Sequence, residues 1–402
     1  MLELEEARRR LFAAIPKLAA ETIPLRNASQ RVLADDVVSA LDLPAFDNSA
    51  MDGYALRAAD VAPATAGSPV LLQIAGRAAA GDNFKGRVEA GSCIRVFTGS
   101  ILPAGADAVV MQEDTRPDPN DSGRVLVLDP ARPWENVRFR GEDVKRGATI
   151  MRAGERLAVG RLGLLAATGC GEVKVIRRPV IGLLATGSEL LEAGTPLAPG
   201  KIYESNRAAL EPLVSRSGAV AKVFPLVPDS LDATRRALEE AFVQCDAVVT
   251  SGGVSVGEMD FVKAAFESLG GRLDFWRVAI KPGKPFVFGQ WNGKFLFGLP
   301  GNPVSAIVTF QLLVRPALWH WQGASSVEPA SVPAVLGEAL ANPGDRRHFM
   351  RVRMDEHGVV RSAGAQASHR LGSLAEANAL ADVPPRTTLP VGASVRIILL
   401  DD

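Results

Sequence analysis

From Arg178 onward a single pattern recurs four times: a short unbroken apolar run, a turn, then a stretch with helical spacing. The runs fall at 180–185, 220–227, 247–250 and 295–298, and the helical stretches at 206–217, 231–242, 260–269 and 304–319. Runs that are apolar at successive positions need cover on both faces. Strands of that kind belong to a mostly parallel sheet with helices on either side. Gly218 stops the first helix, and Pro212 inside it is expected to kink it, because proline has no N–H to give the preceding turn. The Asn292-Gly293 pair marks a hairpin turn between 285–288 and 294–297.

The rest of the chain has a different texture. Leu4, Ala7, Leu11, Ile15 and Leu18 mark one helical face, after which the chain reads as extended up to Pro44. Between 46 and 140, short β-rich runs alternate with turns, and 115–123 is expected as an exposed loop. Residues 159–167 read as a short helix ended near Gly169. Beyond the linker that follows Gly323, alternation at 349–354 and 395–400 predicts a small β domain. A chain of 402 residues is expected to hold two to four domains, at roughly 100–200 residues each.

Composition narrows the function classes. Lys plus Arg number 45 and Asp plus Glu number 45, so no net field draws a nucleic-acid backbone or a membrane to the whole surface. Any anion site must be local. The opening MLELEEARRRLF is too charged for a secretory signal, and the apolar region 304–319 is interrupted by Arg315 and Pro316 and too short to span a bilayer. Cys93, Cys170 and Cys245 are odd in number, far apart and without zinc-ligand spacing, which fits a reducing compartment and a cytoplasmic protein. The scattered histidines have no Ser or Cys partner that would support acyl transfer.

Chemistry concentrates in the loops. Ligands of open parallel sheets bind beyond the carboxyl ends of the strands, where turn N–H groups hold anions. Thr186, Gly187 and Ser188 follow the first run; Ser251, Gly252, Gly253 and Ser255 follow the third; Pro300, Gly301 and Asn302 precede Pro303, a natural first helical residue. One such loop alone is more often a tight turn. Three converging on one edge favour a phosphate-bearing ligand. Glu189, Asp229, Glu258 and Asp260 fall just after the strands and can present oxygens to a hard cation such as Mg2+, although Asp229 and Glu189 also suit helix starts. Lys281 and Lys284, framed by Pro282 and Pro285, are poised to offset phosphate or oxyanion charge. Arg138 and Arg140 read, on the residues alone, as a surface salt-bridge cluster of little energetic value.

The loops FDNSAMDGYA at 46–55, VFTGSILPAGADAVV at 96–110, ATGSEL at 185–190, TSGGVSVGEMD at 250–260, IKPGKPFVFG at 280–289 and LPGNPVSA at 299–306 occur in one order. Together they make the chain resemble the molybdopterin molybdenumtransferase family, the bacterial MoeA proteins and the C-terminal domain of gephyrin. The likeness is near-verbatim in the loops from 43 to 310 and looser beyond. It implies an elongated multidomain α/β plus β protein. Residues 1–45 with 141–175 would form a mixed N-terminal unit, 46–140 a β-rich insertion, 176–323 a molybdopterin-binding-like α/β domain, and 324–402 a small barrel-like β domain.

The same resemblance implies an activity: insertion of molybdate into adenylylated molybdopterin with release of AMP, assisted by Mg2+. Asp52, Thr98, Arg138, Asp143, Lys281 and Lys284 match the family's catalytic positions, with Arg138 and Arg140 suited to gripping a tetrahedral oxyanion. Glu189, Asp229 and Asp260 match the metal positions, and Pro300 and Pro303 the substrate loop. Ser188 and Glu258 stand where many relatives carry aspartate, which rests the metal chiefly on Glu189 and Asp260. The stretch 366–373 matches only loosely and carries over no role for Ser368 or Arg370. Relatives are homodimers whose cleft is shared between subunits, and transient contact with other enzymes of molybdenum cofactor biosynthesis is implied as well. Two alternatives remain at this point: the preceding adenylylation of molybdopterin, and a non-enzymatic scaffold of the gephyrin kind.

Overall fold

The structure is a computed structural model and describes residues 1–82, 84–254 and 261–400. At its centre is a six-stranded sheet in the order Val220–Val223, Val180–Ala185, Ala247–Ser251, Lys294–Leu299, Pro285–Trp291, Arg272–Arg277. The first four strands are mutually parallel, and the last two add as an antiparallel edge. Alternate residues serve opposite faces: Ile181, Leu183 and Val249 join one apolar cluster, whereas Leu184 and Val248 join the other. This is why the runs are apolar without alternation. The crossover from Val180–Ala185 places Val220–Val223 on one side of it, and the next, from Val220–Val223, places Ala247–Ser251 on the other, so the sheet has a switch point between Ala185 and Ser251.

Local chemistry explains where these elements begin and end. The hairpin turns at Asn292 (φ 48°) and Gly293 (φ 74°), both left-handed, as a two-residue turn matching strand twist requires. The strand expected over 220–227 stops at Val223, since Pro225 cannot donate to a neighbouring strand. The helix Asn206–Arg216 continues through Pro212. The helix expected over 304–319 is three pieces: Pro303–Thr309, a π turn Phe310–Val314, and Arg315–Trp321. Pro316 has no N–H for Leu312 O, and Arg8 Nε supplies a donor to that oxygen at 2.8 Å.

Arg8 belongs to the helix Leu4–Ala14, which packs Leu4, Ala7 and Leu11 into the α/β core beside Leu312 and Leu318. From Ala20 the chain leaves that core. Ala20–Pro24 pairs with Glu172–Ile176, and Val37–Val38 with Thr149–Met151, around a separate cluster containing Leu33, Leu157, Leu165 and Val175. Between these segments a second six-stranded sheet runs from Gly53–Leu56 to Asp121–Val127, with apolar clusters on both faces. The region 115–123 is a hairpin rather than a loop, with Thr115–Asp118 as an edge strand where Pro117 is tolerated.

The C-terminal part closes on itself: Arg347–Met354 pairs with both Val359–Ser362 and Ala379–Val383, and Ser331–Leu336 and Ser394–Leu399 complete a five-stranded barrel. Ile280–Lys281, from the α/β unit, adds in parallel to Arg347–Met354 and ties the barrel to the sheet. The accessible surface is 18837 Å2, whereas a compact monomer of 42.5 kDa exposes about 15,000 Å2. The excess is that of an elongated multidomain chain.

Candidate active site

Three backbone turns meet at the switch point. Thr186 N donates to Ser251 O at 3.1 Å, Gly187 N to Val227 O at 3.0 Å, and Gly252 N to Leu299 O at 3.1 Å, so each loop is bonded to the next strand end. Gly252 (φ 89°) and Gly253 (φ 64°) are left-handed, and a Cβ on Gly252 would lie 2.6 Å from Thr186 O. Only glycine permits that approach. Asn206 Nδ2 joins the second and third loops, donating to Ser251 Oγ at 3.2 Å and to Gly301 O at 2.8 Å.

The loops enclose a cavity of about 640 Å3 lined by Thr186, Gly187, Ser251, Gly252 and Gly253, by Pro300, Gly301, Asn302 and Pro303, and by the carboxylate residues Glu189, Glu204 and Asp229. Pro303 is the first residue of its helix, with Asn302 as the cap. Ser188 and Asp229 clasp reciprocally: Ser188 N donates to Asp229 Oδ2, and Asp229 N to Ser188 Oγ, both at 2.9 Å. Capping of Leu231–Gln244 falls to Ser230, whose side chain accepts from Ala233 N, so Asp229 is free of the role its position suggested. Behind the wall, buried Arg207 binds Glu204 and Phe224 O and reaches out to Glu192.

A second cavity of about 680 Å3 adjoins the first, and Pro285, Pro300, Asn302 and His369 line both. Its walls carry Lys281, Lys284 and Arg346, facing Ser305, Gln366 and Ser368. Carboxylates line the first chamber and cations the second. Arg346 went unread in the sequence, and the 366–373 stretch, which matched the family only loosely, carried over no role; the barrel brings both there. The pairing of Ile280–Lys281 with Arg347–Met354 is what closes the chamber.

Residues 2–169 match a family model described as the MoeA N-terminal region (domain I and II), 182–320 a probable molybdopterin binding domain, and 333–400 the MoeA C-terminal region (domain IV). A protein named molybdopterin molybdenumtransferase from Haemophilus influenzae is 39% identical over 384 residues, covering 94% of this chain and 93% of that one. The chain belongs to the MoeA family. Molybdopterin molybdenumtransferase 2 of Mycobacterium tuberculosis is 40% identical over 371 residues and 90% of each chain. The crystal structure of the molybdopterin biosynthesis MoeA protein from Pyrococcus horikoshii OT3 superposes with a TM-score of 0.83 at 33% identity, covering 99% of this chain and 100% of that one.

In this MoeA-family chain the remaining candidate residues lie apart from both cavities. Asp52 Oδ1 accepts from Thr98 N and Thr98 Oγ1, each at 2.7 Å, and these bonds hold its carboxyl below the usual range. Both residues are exposed on the inserted sheet. Arg138 pairs by backbone with Asn48, and Asp143 N donates to Leu43 O, so the two sit at the junction of the insertion with the N-terminal unit. Arg140 is committed to an ion pair with Asp42 at 2.5 Å. None of Asp52, Thr98, Arg138 and Asp143 lines either cavity of its own chain. Ser255, Glu258 and Asp260 lie outside the described residues.

Among the described residues no group of three or more His, Cys, Asp or Glu side chains forms a metal cage. Glu189 and Asp229 nevertheless suit magnesium, which takes one or two carboxylates and completes its shell with water and substrate phosphate. No helix among the described residues is long and apolar enough to cross a membrane.

Proposed function

We propose that this chain is a molybdopterin molybdenumtransferase: it accepts adenylylated molybdopterin and molybdate, places the metal on the dithiolene and releases AMP. One observation carries the reading. A glycine-lined, carboxylate-bearing chamber opens onto a cationic one, so a phosphoanhydride and an oxyanion can be held side by side. Glycine N–H groups and the Ser251 hydroxyl orient the phosphate, while Lys281, Lys284 and Arg346 draw the oxyanion and offset charge that grows on the departing AMP. Glu189 and Asp229 would hold magnesium, whose charge would help to stabilise the phosphoanhydride as it is cleaved. The chain supplies no covalent nucleophile in this scheme.

The active unit in this reading is a cytoplasmic homodimer. Asp52 with its Thr98 partner, Arg138 and Asp143 are exposed and line neither cavity of their own chain, and in this reading they complete the cleft of the partner subunit. Transient contact with the other enzymes of molybdenum cofactor biosynthesis belongs to the same reading.

Purified protein given adenylylated molybdopterin, molybdate and Mg2+ should release AMP in proportion to metal inserted; AMP release that ignores molybdate would defeat the assignment. Consumption of ATP with unmodified molybdopterin would instead select the adenylylation step. For the shared cleft, Asp52→Ala and Glu189→Ala proteins should each be inactive and regain activity when their subunits exchange. Verified heterodimers without activity would eliminate it.

A further inference from the structure

Asn206 is the first residue of the helix Asn206–Arg216 and is 8% exposed, wedged between the second and third glycine loops. A backbone carbonyl can only accept, so the atom 2.8 Å from Gly301 O must be the amide nitrogen, and the side chain has a single orientation. That orientation leaves Oδ1 buried without a hydrogen-bond partner among the described residues. Thr186 Oγ1, in the same cavity wall, is buried and unpartnered as well. A buried acceptor with no donor does not serve stability. An apolar side chain of the same size would spare that cost but strand Gly301 O and Ser251 Oγ, which the amide nitrogen serves. The amide nitrogen thus joins the loops, and the idle Oδ1 is left to the site.

We infer that Asn206 is a positioning residue for the transfer reaction: its amide sets the spacing between the 251–253 and 300–303 loops, and so the width of the phosphate cradle. The inference rests on reading the cavity as the place where the nucleotide phosphate binds. Gly301 carries little restraint of its own. A Cβ there would meet nothing closer than Gly252 Cα at 3.5 Å, so beyond the Gly252 N to Leu299 O bond at 3.1 Å the two loops are joined by the amide that spans them. An aspartate in its place would set a carboxylate oxygen against Gly301 O and push the loops apart; once protonated, the same group becomes a donor and closes them again.

The test is calorimetric titration of AMP with Mg2+ into full-length protein, with the thermal midpoint measured on each sample. Asn206→Leu should weaken AMP binding at least tenfold in titrations run well below its midpoint, which should fall by a few degrees as Gly301 O and Ser251 Oγ lose their donor. Asn206→Asp should bind weakly at pH 8 and approach the unaltered protein, compared at the same pH, as the pH falls to 5.5. Unchanged AMP binding by Asn206→Leu, or a pH-independent deficit in Asn206→Asp, would each overturn the inference alone. Failure of the unaltered protein to bind AMP would overturn the reading of the cavity along with it.

Discussion

Replacing Arg207 by methionine strands a carboxylate inside the protein. Arg207 and Glu204 have side chains only 6% and 4% exposed, joined Nε to Oε2 at 2.9 Å, whereas Glu192, the third member, is 57% exposed. Removing one partner of a buried pair costs about 3–5 kcal/mol, because the charge left behind has lost both water and counter-ion. Glu204 keeps one bond, from Arg207 N at 2.9 Å, which places the expected loss near the lower end. The exposed arm is worth less than about 1 kcal/mol, so Glu192→Gln should scarcely register. Neutralising the stranded group, as Arg207→Met with Glu204→Gln, should recover most of the loss. Urea unfolding followed by tryptophan fluorescence reads this out, since Trp291 and Trp321 pack against the two α/β clusters. Equal midpoints for Arg207→Met and Glu192→Gln, at unchanged slope, would refute the reasoning, as would a double variant no more stable than Arg207→Met.

Other perturbations separate neighbouring roles. Gly252→Ala should abolish AMP binding, because its Cβ would sit 2.6 Å from Thr186 O at φ 89°, whereas Gly301→Ala, 3.5 Å from its nearest neighbour, should bind nearly as well; titration of both compares them. Ser230→Ala should lower stability by about 1 kcal/mol through loss of a helix cap and leave AMP release intact, while Asp229→Ala should do the reverse, as paired thermal and turnover assays would show. Burial, with Lys281, Arg351 and Arg346 nearby, pushes His348 down to about 4 from 6.5. The native state thus refuses a proton that the unfolded chain takes up. Stability is complete above the unfolded value and should fall as the pH drops from 6.5 toward 4, by on the order of 3 kcal/mol, a slope that His348→Leu should flatten in pH-dependent unfolding.

Much of the α/β unit was legible because its elements answer to local chemistry. The apolar runs became sheet strands, the Asn292-Gly293 turn closed a hairpin, and the glycine loops landed at strand ends. The long helix misled because hydrophobic periodicity cannot register a π turn; Pro316 hinted at a break, but the Arg8 side chain that meets Leu312 O comes from the far end of the sequence. The hairpin at 115–123 was hidden by its prolines, which an edge strand tolerates and a central one does not. Asp229 looked like a cap until the structure gave that task to Ser230.

Residue order by itself determined which segments could be strands, where backbone could approach a phosphate, and which family the loops resemble, since each depends on contacts a few residues apart. Tertiary structure alone decided what meets what. The cationic chamber exists because one short strand of the α/β unit, Ile280–Lys281, pairs with the barrel and brings Arg346 and Ser368 to the same cavity as Lys281. Such long-range pairing is selected by how apolar faces are buried together, and no local pattern of residues encodes its partner.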